Sequence, residues 1–201
     1  MNFEAGGVPL QHSLSADSMS AAFKEWAVVC EALGGGLQSV IVRKGGIAEG
    51  REGFAFREVE FFLFPTWFHE QIERTRLPKE TALPAEPAEV VEIRYAVNVE
   101  WSGLVTDWQR VLDLEELHVL APSVVEERFH YDQQDGVHIA FVRVYRLDPP
   151  QRLPLEKRFG GCRSWVELPE LDACALVSVL SDEEHARRRL LLQKVVGLSG
   201  F

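Results

Sequence analysis

Residues 91–101 read VEIRYAVNVEW, and this stretch decides the fold. Val91, Ile93, Tyr95, Val97, Val99 and Trp101 alternate with Glu92, Arg94, Ala96, Asn98 and Glu100. A strand places successive side chains on opposite faces, so this period of two predicts a long strand with one wet face in an antiparallel sheet. Working outward, Phe54–Phe64 (FAFREVEFFLF) and Val137–Leu147 (VHIAFVRVYRL) are apolar on both faces, as central strands are. Glu25–Leu33 (EWAVVCEAL), a turn at GGG 34–36, and Leu37–Arg43 (LQSVIVR) read as a β-hairpin. Cys162–Leu168 gives a further short strand, whereas Ala173–Leu180 is too short to type.

Helix signals are fewer. Thr66 can cap a helix over WFHEQIERTR, with Glu70 early and Arg74 and Arg76 late, the charge order that the helix dipole favours. Ser123-x-x-Glu126 and Ser181-x-x-Glu184 are capping boxes. The second opens a helix from Asp182 to Val196 that Gly197 ends. Trp108–Leu120 passes from a strand end into a short helix. The sum is an α+β fold, a mostly antiparallel sheet of six or seven strands with three or four helices. Residues 1–20 lack periodicity and read as a loosely ordered tail. Residues 21–201 then form one domain, or two lobes joined by the proline-rich connector 77–89.

The chain has 201 residues and a net charge of −10, so as a whole it repels phosphate backbones and anionic membranes. No signal peptide and no membrane-spanning run is visible, which predicts a cytoplasmic protein with no membrane partner. Cys30, Cys162 and Cys174 are odd in number and lack CxxC spacing, so neither a disulfide framework nor a cysteine-built zinc site is expected. No cofactor motif is present: GGIAEG fits neither a P-loop nor GxGxxG.

Five groups could carry chemistry. The glycine-rich stretch 43–57 holds Arg43, Lys44, Arg51 and Arg57 against Glu49 and Glu52, a local balance of +2. Gly45 and Gly46 let backbone N–H groups approach an anion, so Arg43, Lys44, Gly45, Gly46 and Arg51 form a candidate anion-binding loop for nucleic acid or another anionic ligand. A solvated turn is the plainer reading. Glu58 and Glu60 share a strand face with four phenylalanines, where unpaired burial is costly, unless a bulge or salt bridge relieves them. His69 follows the central strand at a place suited to a general base. His130, Asp132, Asp135 and His138 invite a metal reading, but Asp135-Gly136 is an ordinary turn and no metal motif fits, so no metal site is expected. Cys162 sits beside Arg163 in GGCRSW, where a thiol pKa could fall. Arg187–Arg189 read as a solvated helix surface.

AFKEWAVVCEAL, RKGGIAEG, FFLFPTWFHEQ, FVRVYRLDPP and GGCRSWVEL occur in this order, and together they resemble the bacterial family catalogued as domain of unknown function 1802. The resemblance spans roughly residues 21–197. The matching positions include Lys44, Gly45, Gly46, Glu49, Phe64, Pro65, Thr66, His69, Tyr145, Gly160, Gly161, Cys162, Ser164 and Trp165. Because family members occur alongside restriction-endonuclease-like domains, the resemblance implies a role near DNA restriction or repair. Two readings follow. One is a binding or accessory module that contacts nucleic acid through its glycine-rich loop. The other is a small hydrolase-like enzyme whose site gathers Lys44, Glu49, Glu60, His69 and Cys162, with Glu60, His69 and Cys162 as its catalytic candidates. Ligand, reaction and oligomeric state stay open at this level.

Overall fold

A computed structural model describes residues 19–44, 56–131 and 134–197. The strands are β1 (Ala21–Trp26), β2 (Val40–Arg43), β3 (Glu60–Thr66), β4 (Val90–Val105), β5 (Val137–Pro154), β6 (Trp165–Glu167) and β7 (Ala175–Ser178). The helices are α1 (Ala27–Gly34), α2 (Trp108–Asp113), α3 (Pro122–Phe129) and α4 (Asp182–Val196). One sheet runs in the order β2-β5-β4-β3-β1-β6, and β7 also pairs with β5. Every pairing is antiparallel except β1 with β3. The α+β class with a mostly antiparallel sheet is therefore what the chain adopts. Strands on both sides of the 77–89 connector join this sheet. Met19 is buried and the Ser20 carbonyl accepts from the Leu168 N–H, so residues 19 and 20 belong with β6 rather than with a tail.

The long alternating strand is present, with a feature that its sequence hides. The β4–β5 register shifts between Ile93 and Tyr95. Val91 and Ile93 therefore face one core with Phe62, Phe64, Leu147 and Phe159, whereas Tyr95 and Val97 face the other with Phe23, Phe61, Leu63 and α1. A bulge inserts one residue and so flips a strand's inward face. Ala96 is fully buried as well, so this part of β4 has no wet face.

The expected hairpin at residues 25–43 is instead strand, helix, strand. α1 buries Ala27, Val28, Val29, Cys30, Ala32, Leu33 and Gly34, and a segment apolar all round carries no period by which sequence could type it. The three glycines close the helix rather than turning a hairpin. Gly36 N–H bonds to Leu33 O and Leu37 N–H to Ala32 O, a Schellman cap with Gly36 at φ 72°. Gly34 has its own reason: a Cβ there would lie 2.1 Å from the Tyr95 ring.

The second correction concerns residues 67–76, which form turns rather than a helix. β3 continues through Pro65 and Thr66, paired with Glu25 and Trp26 of β1. Pro65 fits there because β4 pairs β3 only as far as Phe62, so its missing N–H leaves no gap in that ladder. Thr66 Oγ1 donates to Glu25 O at 3.0 Å instead of capping a helix. Glu58 precedes β3 and is exposed, and Gly36 apart, the backbone's positive φ values include Glu70 at 67°. α3 begins at Pro122 as its first residue, with no side-chain cap, so the Ser123/Glu126 box is not used. α4 matches its expected limits: Ser181 Oγ accepts from Glu184 N–H at 3.2 Å, and Gly197 ends it at φ 77°.

Candidate functional site: a cationic cluster around Glu25

β2 and β6 stand at opposite ends of the strand order, yet Arg43 of β2 donates to Ser164 Oγ, just before β6, at 3.2 Å. The sheet is thus curled enough to bring its two borders together. Where they meet, the ends of β1, β2 and β3 supply Lys24, Glu25, Trp26, Arg43 and Thr66.

Glu25 is the centre of this place, with 1% of its surface exposed. Its Oε1 accepts from the Trp26 N–H at 2.9 Å and lies 3.8 Å from Arg43 Nη1, an ion pair longer than a hydrogen bond. Among the described residues its Oε2 is buried with no hydrogen-bond partner. Arg43 also lies over the Phe23 ring at 5.3 Å. Arg128, from the end of α3, donates to Val42 O and lies 4.6 Å from the Trp26 ring centroid. Burial brings its guanidinium down to about 10; Glu25 opposes that shift, and Arg43 and Arg74 reinforce it. It remains charged at neutral pH. Arg74 lies 5.9 Å from the Trp26 ring and pairs with Glu127. Phe68, 40% exposed, meets Trp26 edge to face at 4.9 Å.

Lys24 Nζ donates to the carbonyls of Gly160 and Gly161 at 3.2 and 3.1 Å. Burial pushes its ammonium below the ordinary lysine value, the nearby Cys162 works against this, and Arg163 adds to it. Lys44 follows β2 and donates to Gln134 O. The glycine-rich stretch leaves the described structure at Lys44 and returns at Phe56, whose ring is 5.7 Å from that of Phe23. Both of its ends are therefore anchored on this cluster.

The candidates named from sequence divide accordingly. Arg43 is in the cluster, Lys44 adjoins it, and Cys162 is exposed beside Lys24. Gly45, Gly46, Glu49 and Arg51 lie outside the described residues. Glu60 is half-buried at the start of β3, where Asn98 donates to it at 3.3 Å. His69 is exposed beyond the far end of the same strand. Six residue steps of strand, roughly 20 Å, separate those two ends, well outside the hydrogen-bond reach that catalytic partners need. His130 Nδ1 is 2.9 Å from Asp135, and His138 pairs in register with Arg43, while Asp132 lies outside the described residues.

Glu25, Trp26, Arg74 and Arg128 were not apparent as site residues. A signal for Glu25 existed, since Lys24-Glu25 are the only charges in AAFKEW, a strand whose other central residues are core. Arg74 and Arg128 carry no such mark. The basic arc on α4 is also more than a solvated face: Arg188 donates to Ser39 Oγ at 3.0 Å and Arg189 to Glu100. Buried His185 Nε2 lies 2.9 Å from Glu100 Oε1. Burial works to raise the Glu100 carboxyl, but His185 and Arg189 outweigh it and hold it below the usual carboxylate range. This network pins α4 to β4.

Fold and site together define a small α+β domain with a cationic end built around one buried carboxylate. The chain belongs to the family described as Domain of unknown function (DUF1802), whose profile matches residues 22–190. Among solved structures it is similar to ASCH from Zymomonas mobilis, at 10% identity and a TM-score of 0.43 over 86% of this chain and 94% of that one. A mutant of the same protein gives 11% identity and a TM-score of 0.40 over 89% and 99%. A likeness of that size says nothing of function. No curated protein matches the chain.

Proposed function

We propose that the protein is a non-catalytic nucleic-acid-binding module, serving DNA restriction or repair, which takes the sugar–phosphate backbone at the cationic end of its sheet. The observation that supports this reading is the gathering of Arg43, Arg74 and Arg128 around Glu25 and Trp26, with Lys24 and Lys44 adjoining, in a chain of net charge −10. So much positive charge in one place, against the overall sign, costs self-repulsion that a bound polyanion relieves. Arginine suits phosphate through its planar fork of donors. Gly45, Gly46 and Arg51 follow Lys44 in the sequence, and glycine backbone N–H groups suit a phosphate.

The rest of the chain carries the net negative charge, which disfavours phosphate contact away from this end. Among the described residues no helix is long and apolar enough to cross a membrane. A gel-shift titration with single- and double-stranded DNA at low salt tests the reading. A complex that Arg43→Ala together with Lys44→Ala weakens at least tenfold is expected. Absence of any complex at low salt refutes it.

A further inference from the structure

The orphaned oxygen of Glu25 is the least explained polar atom of the cluster. A buried carboxylate oxygen without a donor is costly, and native proteins rarely leave one so. Among the described residues only the Trp26 N–H satisfies the carboxylate at hydrogen-bond distance, and it does so through Oε1. Arg43 stops at 3.8 Å and spends its own hydrogen bond on Ser164. Arg128 spends one on Val42 O. With the Arg43 and Arg128 guanidiniums close by, neither has been brought onto Oε2. An incoming hydrogen-bond donor is what this atom lacks.

From this, and resting on the nucleic-acid reading above, the geometry points to Glu25 as a base-reading group. Its Oε2 accepts an N–H from one unstacked base of a single strand while Arg43 and Arg128 hold the neighbouring phosphates. Arg43 keeps 22% of its side chain exposed against 1% for Glu25, so it is the outer member of the pair. A phosphate that draws Arg43 outward weakens its ion pair with Oε1, and a base N–H donated to Oε2 then compensates the carboxylate. Phe68, exposed and set against Trp26, supplies an aromatic surface on which such a base rests. Carboxylate, aromatic ring and guanidinium each match a different part of a nucleotide: base edge, base face and phosphate.

The test compares a short oligo-deoxycytidine strand with an abasic strand of equal phosphate count, by fluorescence anisotropy. The wild-type protein is expected to prefer the base-bearing strand by about tenfold. Glu25→Gln keeps an acceptor for the Trp26 N–H but places an amide where a free acceptor stood. It is expected to lose the preference, read as the ratio of its affinities for the two strands. Phe68→Ala, at an exposed position, should lower the preference several-fold without loss of folding. Equal wild-type affinity for the two strands, or an undiminished preference in Glu25→Gln, overturns the base-reading role and leaves phosphate binding standing. Failure to bind either strand overturns the nucleic-acid reading itself.

Discussion

His118 provides a prediction whose size follows from its surroundings. It is 5% exposed, its Nδ1 accepts the Leu120 N–H at 3.2 Å, and its carbonyl accepts from Arg76. Burial, with the charges of Arg76 and then Arg128 adding to it, pushes the imidazole from 6.5 down to about 4. An unfolded chain takes up the proton near pH 6.5 and the folded one does not until about pH 4, so stability falls as pH drops through that window. Working the linkage through, the loss between pH 7 and pH 5 is about 2 kcal/mol. His118→Asn keeps an acceptor for the Leu120 N–H and removes the titration. The perturbation is best read by urea denaturation of both proteins at pH 7 and at pH 5. The asparagine variant loses some packing at both values, but it should close on the wild type by about 2 kcal/mol at the lower pH. Other groups that titrate are shared and cancel in the difference. Parallel stability curves for the two proteins between pH 7 and pH 5 would refute the reasoning, because they would mean that His118 is charged inside the fold.

Three further predictions concern the frame that carries the site. Gly34→Ala places a methyl 2.1 Å from the buried Tyr95 ring and should cost about 2 kcal/mol or more in urea denaturation; an unchanged midpoint would show that the ring moves freely. Glu100→Ala strips the partner from His185 and Arg189 and should destabilise by about 2 kcal/mol, with amide exchange in α4 rising more than in β3. Uniform exchange across both elements would contradict the pinning role. Ser181→Ala removes the α4 cap and should lower stability by about 1 kcal/mol, measured the same way, whereas Ser123→Ala at the unused box should change it by far less.

What could be read from the sequence, and what could not, follows the range of the forces concerned. α4 was legible to the residue, because Ser181 and Gly197 are local signals that act through their own backbone. β4 was legible as a strand, but its face switch at Arg94 was not, since a bulge leaves the period of two unbroken in the letters. α1 was mistaken for a strand because burial on every side outweighs the β preference of Val28 and Val29, which sequence reading registers and tertiary packing overrides. The helix expected after Thr66 lost to long-range partners: Thr66 bonds to Glu25 and Gln71 accepts from the Val28 N–H at 2.9 Å. Arg43 and Lys44 stood out by local charge. Arg74 and Arg128 did not, because only the tertiary fold brings residues 31 and 85 positions further along the chain to the Trp26 ring beside that carboxylate. Glu60 and His69, grouped as candidates from the sequence, are held apart by the strand between them.

The central claim is that the cationic end takes a phosphate backbone, and the dependence of affinity on salt tests it most directly. With about four phosphates neutralised, the logarithm of the association constant for single-stranded DNA should fall with the logarithm of salt at a slope near −3 between about 50 and 200 mM. Arg43→Ala and Arg128→Ala should each reduce that slope by about 0.7. A flat salt dependence, or a slope that neither substitution changes, would contradict the account.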